Sequence, residues 1–140
     1  MILRGDTDLP AAVLAGSAWF WGARMVAGAL LALGSGVRAA QALTWLGVAG
    51  AGWVLAPLVA DGAWRRMAVA ALLIALPEAI VVIAGRLTRA ATLGLEVSEV
   101  SVAADAVLRV ALATVPLVLA ALLVHAASRL LTSAGRRSPT

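Results

Sequence analysis

The chain has 140 residues, 63% of them hydrophobic and only 13% charged, with a mean hydropathy of +1.01. Soluble domains carry about 25% charged residues, so this composition excludes a water-soluble globular fold. All 11 basic residues are Arg, the formal charge is +4, and Cys is absent, which excludes disulfides, thiolate metal sites, iron–sulfur clusters and a cysteine nucleophile.

Four apolar stretches follow one another, at about residues 9–33, 38–60, 67–85 and 103–127. Each is near the roughly 20 residues that a helix needs to cross a hydrocarbon layer of about 30 Å. The runs are continuous and Ala/Leu-rich, unlike the alternating segments of about ten residues that build a membrane β-barrel. The first is longer than the h-region of a signal peptide, carries Arg24 and follows Asp6 and Asp8, so it reads as a retained helix. Gly34, Ser35 and Gly36 mark a tight reversal after it. Ala60, Asp61 and Gly62 mark the next, with Trp64 placed as an interfacial anchor. The third stretch holds Glu78 directly after Pro77. Residues 86–102 form a longer connection in which Leu93, Val97 and Val100 fall at i, i+4 and i+7, the spacing of a short amphipathic helix on the outer surface. Residues 95–102 also alternate, which leaves an extended reading open. After the fourth stretch comes a tail, 128–140, whose last residues, 136–140, read as disordered. The expectation is an all-α, single integral membrane domain over 1–140, an antiparallel bundle of four transmembrane helices.

In that arrangement Arg4, Arg65, Arg66, Arg129, Arg136 and Arg137 share one side of the membrane, and Arg38, Arg86 and Arg89 the other. The positive-inside rule then places both termini in the cytoplasm of a multi-pass cell-membrane protein. A positive balance in so apolar a chain points to orientation and the lipid bilayer as partner, not to nucleic acid.

Arg24 and Glu78 are the charges deepest in apolar sequence. Each costs about 2.5–3.5 kcal/mol at the centre of an isolated membrane helix, so an intramembrane ionisable group is a functional-site hypothesis by default. From the cytoplasmic edge their depths are about 22 Å and about 18 Å at 1.5 Å per residue. Arg109 falls slightly further out, and Gln41 and Thr44 lie in the same half. Helical periodicity groups Ser17, Arg24, Gly28 and Ser35 on the first helix, flanked by Phe20 and Trp21. Thr44, Gly47 and Ala51 line up on the second, and Ala71, Ala75, Glu78, Val82 and Gly85 on the third. Asp105, Arg109, Ala113, Pro116 and Ala120 line up on the fourth. Small residues let membrane helices approach closely, so these stripes mark packing faces. Pro77 and Pro116 free the carbonyls of Leu73 and Leu112. His125 sits on a different face from Arg109 and, as the single His, reads as interfacial and structural. Trp19, Trp21 and Trp53 read as core filling, with a pocket wall as the alternative.

Two readings of Arg24 and Glu78 stay open: an ion pair that fixes which helices are neighbours, or the lining of a small cavity that takes up a proton or an anion. Metal-spaced His/Asp clusters, phosphate loops, dinucleotide fingerprints and nucleophile elbows are missing, so no metal or cofactor is implied. Two families of small four-helix transporters share this size, the small multidrug exporters and the fluoride channels. The first stretch lacks a Glu and the chain holds no Asn, so neither family's polar signature is present. Three functions fit. One is a homo-oligomer, for example a homodimer, that moves a small ion or molecule, with Glu78 as the proton-coupling group and Arg24 as its anion or charge partner. In that function Arg109, Asp105, Gln41, Thr44 and Trp21 serve as binding residues. Another is a membrane-embedded isomerase or cyclase using Glu78 as acid/base on a lipophilic substrate. The third is an accessory subunit of a membrane complex.

Overall fold

The computed structural model describes residues 8–34 and 36–135. Arg4, Asp6, Ser35, Arg136 and Arg137, and the expected disordered end 136–140, lie outside the described residues. The chain is all-helical: α1 (Leu9–Ala32), α2 (Val37–Ala60), α3 (Trp64–Ala75), α4 (Pro77–Leu93) and α5 (Glu99–Gly135), with no strand among the described residues. Three helices are long and apolar enough to cross a membrane: Val37–Ala60, the 30-residue α3–α4 unit Trp64–Leu93, and Glu99–Ala134. α1 matches α2 in length at 24 residues and carries Arg24 within it.

The interruption between α3 and α4 has a covalent cause. Pro77 has no amide hydrogen to give the Leu73 carbonyl. The Leu76 amide still reaches Leu72 O at 2.8 Å, while the Ala79 amide takes the nearer Leu76 O at 3.0 Å, a tighter 3₁₀-type bond. Leu76 keeps right-handed helical dihedrals, so the chain passes through without reversing. α5 runs on through Pro116. True reversals use positive φ: Gly62 at +70° after α2 and Gly94 at +63° after α4, where the Leu95 amide closes on Ala90 O at 3.0 Å.

Several boundaries differ from the sequence expectation, all in one direction. The third apolar stretch, expected over 67–85, is helical over Trp64–Leu93. The short amphipathic segment between the third and fourth spans is not formed: residues 86–93 continue α4, 95–98 are irregular, and α5 begins at Glu99. Helix also extends through 128–135, into the tail expected from sequence. Hydropathy marks where a helix is greasy, whereas backbone hydrogen bonding continues through good helix formers such as Arg, Leu and Ala. At 1.5 Å per residue Trp64–Leu93 is about 45 Å long, well beyond a hydrocarbon layer of about 30 Å.

α1 packs chiefly on α2, and α5 packs against α2, α3 and α4. Phe20, Leu55, Leu58, Met67, Ile74 and Leu117 are fully buried among many alanines. Glycines set the closest approaches. Trp19 lies on Gly50, and Ala23 lies against Gly47. Gly16 faces Ile74, and Gly52 faces Ala120. On α5 the buried line is Val102, Ala106, Ala113, Leu117 and Ala121, so the expected stripe of Asp105, Arg109, Ala113, Pro116 and Ala120 is rotated from the true packing face. A one-residue error turns a helix by 100°, and a stripe of charged residues drew the assignment off the alanines. The outer surface is apolar, with Trp53, Val81 and Leu123 more than half exposed, as suits a chain solvated by lipid.

A Cβ on Gly52 would lie 2.5 Å from Ala120 Cβ and 2.8 Å from Ala120's backbone carbonyl carbon, whereas one on Gly28 meets nothing within 4 Å. Gly52→Ala is therefore expected to cost about 1–3 kcal/mol through overpacking. Gly28→Ala is expected to stay within about 1 kcal/mol of the parent. Thermal unfolding of both variants in neutral detergent checks this.

Candidate functional site

Counting from Leu9 to Arg24 and from Trp64 to Glu78 gives depths of about 22 Å and about 21 Å along α1 and the α3–α4 unit. The two residues meet. Arg24 Nη1 lies 2.5 Å from Glu78 Oε1. Glu78 is 5% exposed and is the one buried charged residue among the described residues. The Arg24 side chain is 37% exposed. At that separation the guanidinium and the carboxylate form a close charge pair, with the carboxylate as its buried member.

Aromatic rings hold the guanidinium in place. Phe20 and Trp21, one turn earlier on α1, are on the same face as Arg24. The guanidinium carbon lies 5.2 Å from the Phe20 ring centre and 5.6 Å from that of Trp21, both within cation–π range. The two rings meet edge to face at 5.4 Å and 89°. Trp21 Nε1 donates a 2.9 Å hydrogen bond to Ile74 O. Ile74 is in the last turn of α3, where carbonyls lose intrahelical partners, so the indole caps the end that Pro77 creates. Trp21 thus ties the Arg24 segment to the turn before Glu78.

The other expected site residues lie elsewhere. Arg86 Nε donates to Asp105 Oδ2 at 3.1 Å, and Arg86 Nη2 contacts the same oxygen. This α4–α5 pair is largely exposed. With Arg89 and Arg109 it lines an open groove of about 220 Å³. Gln41 is exposed, and Thr44 turns its hydroxyl back onto Ala40 O at 2.9 Å, so neither is hydrogen-bonded to the Arg24–Glu78 pair. Trp19 and Trp53 do not fill the core: they are 55% and 72% exposed, although the Trp19 indole lies against Gly50. His125 is half-buried on α5. Sequence reasoning missed the Arg86–Asp105 pair. The signal was available in Gly94, since a reversal there folds the start of α5 back along the end of α4.

The arrangement sets a buried carboxylate against Arg24 as a fixed counter-charge. Among the described residues no group of three His, Asp or Glu could hold a metal ion. Compared with known protein families, curated proteins and solved structures, the chain matches none.

Removing one partner of a buried pair strands the other. Arg24→Leu is expected to destabilise by about 3 kcal/mol, with the double variant Arg24→Leu/Glu78→Leu recovering at least about 1 kcal/mol of that loss. A double-mutant cycle on thermal unfolding measures both. A loss in the double variant equal to the sum of the Arg24→Leu and Glu78→Leu losses means that the contact carries no coupling energy.

Proposed function

We propose that the chain is a four-span cell-membrane protein with both termini in the cytoplasm, and that it moves a small ion or molecule across the bilayer as a homo-oligomer, using Glu78 and Arg24 as its polar centre. α1, which is not among the three helices long and apolar enough by composition, is the fourth span in this reading. The contact pattern supports an antiparallel bundle. Trp19 with Gly50 and Ala23 with Gly47 step in opposite directions along α1 and α2, whereas Gly16 with Ile74 and Arg24 with Glu78 step in the same direction along α1 and the α3–α4 unit. The six-to-three Arg imbalance supports the orientation.

The observation that carries the functional reading is the burial of Glu78, a carboxylate 5% exposed among apolar helices with the Arg24 guanidinium as its charged partner. A charge at that depth costs about 2.5–3.5 kcal/mol in an isolated membrane helix, which marks an intramembrane ionisable group as a functional-site hypothesis by default. The neighbouring Pro77 supplies a helix interruption at the same level, the device by which membrane proteins bring backbone carbonyls to a binding site. The 37% exposure of Arg24 supports the homo-oligomer, since a guanidinium facing hydrocarbon is costly and a second copy of α1 can cover it.

Purified protein in proteoliposomes, with pyranine for proton flux and lucigenin for chloride flux under an imposed potential, tests the proposal. Wild type is expected to conduct above empty vesicles in at least one assay. Glu78→Gln is expected to lower that flux tenfold or more with helical content and yield unchanged. A Glu78→Gln variant that conducts normally, or that loses only abundance, sinks the transport reading and leaves Arg24–Glu78 as a structural clamp.

A further inference from the structure

The groove between α4 and α5 is a second charged site, separate from Arg24 and Glu78. Arg86, Arg89 and Arg109 project around it, with Asp105 as the single carboxylate. Asp105 is already engaged by Arg86. Among the described residues, Arg89 and Arg109 have no ion-pair partner, which leaves the groove a net charge of +2. Val81 and Val82 form its apolar wall.

Depth separates these two kinds of lining. If Trp64 marks the cytoplasmic interface, a hydrocarbon layer of about 30 Å is crossed in about 20 residues, near Ala84. Val81 and Val82 then lie inside the hydrocarbon, and Arg86 and Arg89 lie in the headgroup layer. Arg109, one turn beyond Asp105 on α5, starts slightly deeper and reaches outward along its stem, as long basic side chains do at an interface. The groove is therefore cationic at headgroup depth and apolar at acyl-chain depth. It opens sideways: Val81 is 57% exposed and the Arg86 side chain 51%.

We propose that this groove binds the phosphodiester of an anionic membrane lipid, with Arg89 and Arg109 holding the phosphate and the first acyl carbons lying along Val81 and Val82. Arginine suits the task because its planar fork presents paired N–H donors at the spacing of two phosphate oxygens. A free phosphate in water would use the same cations but has no need of the valine wall, and that wall favours the lipid as source. The inference rests on the four-span reading but not on the role given to Glu78.

The experiment uses the full-length protein in neutral detergent and native mass spectrometry, titrating phosphatidylglycerol and phosphatidylcholine of matched chains. Phosphatidylglycerol is expected to bind at least about tenfold more tightly. Arg89→Gln with Arg109→Gln is expected to reduce that preference about tenfold or more, the scale for two basic residues at a lipid surface. Arg65→Gln and Glu78→Gln are expected to change it less than twofold, which keeps a failure here distinct from a failure of the transport reading. Equal binding of the two lipids overturns the proposal, as does an unchanged preference in the double variant. Displacement of phosphatidylglycerol by millimolar inorganic phosphate also overturns it, in favour of a soluble-anion site. Should the double variant fail to fold, a phosphatidylglycerol carrying a photoactivatable diazirine near the headgroup decides on wild type alone. Cross-links within residues 81–89 and 105–109 support the site, and cross-links confined elsewhere refute it.

Discussion

A carboxylate buried among apolar helices has to meet a counter-charge, and Glu78 meets one, the guanidinium of Arg24. That demand constrains more than the two residues. It sets the axial register of α1 against the α3–α4 unit, because a slip of one turn, about 5.4 Å, would separate the charges and leave both unpaired. It also determines which face of α1 turns inward. Phe20 and Trp21 follow Arg24 to that face, so a cation that would otherwise be a liability is lodged against two rings.

The close packing that permits this contact comes from residues with almost no side chain. Gly16 receives Ile74 and Gly47 receives Ala23, which brings α1 near enough to its neighbours for an arginine to reach a carboxylate within the bundle. Pro77 adds the other requirement. By ending α3 at Ala75, three residues before Glu78, it leaves the last turn of α3 short of amide donors, and the indole of Trp21 donates to Ile74 O there. The same neighbourhood therefore holds a charge contact, a helix end and a hydrogen bond between elements.

The remaining charges follow a different rule. Arg86, Arg89 and Arg109 stay exposed and Asp105 half-exposed, toward the ends of helices that outrun the thickness of a hydrocarbon layer. Exposed pairs such as Arg86–Asp105 contribute little to stability, so what distinguishes this end of the molecule is the surplus of cations, not the pair itself. Charge buried at the centre and charge gathered at the helix end are separate features with separate physical causes.

Much was legible before any coordinates. Continuous apolar runs specify helices, because lipid offers the backbone no other partner, and Arg24 and Glu78 stand out since each interrupts a run that has no other reason to break. Their similar depth follows from a rise of 1.5 Å per residue, which is a property of the helix and not of the fold. Helix ends were misjudged wherever polar residues remained helical, at Trp64–Arg66, at residues 86–93 and at 128–135, because hydropathy reports the solvent and not the backbone. Azimuth was the harder quantity. The buried line of α5 runs through Ala106, Ala113 and Leu117, and Asp105 and Arg109 lie off it, since 100° of rotation per residue lets a single misplaced position change the face. Sequence by itself thus determined that the chain is helical and apolar and which charges are out of place. Only the tertiary structure decided that Arg24 reaches Glu78, that Asp105 belongs to Arg86, and that the Trp21 indole reaches Ile74 O. Contacts between distant segments depend on rotation and register, which the periodicity of a single strand of sequence does not encode.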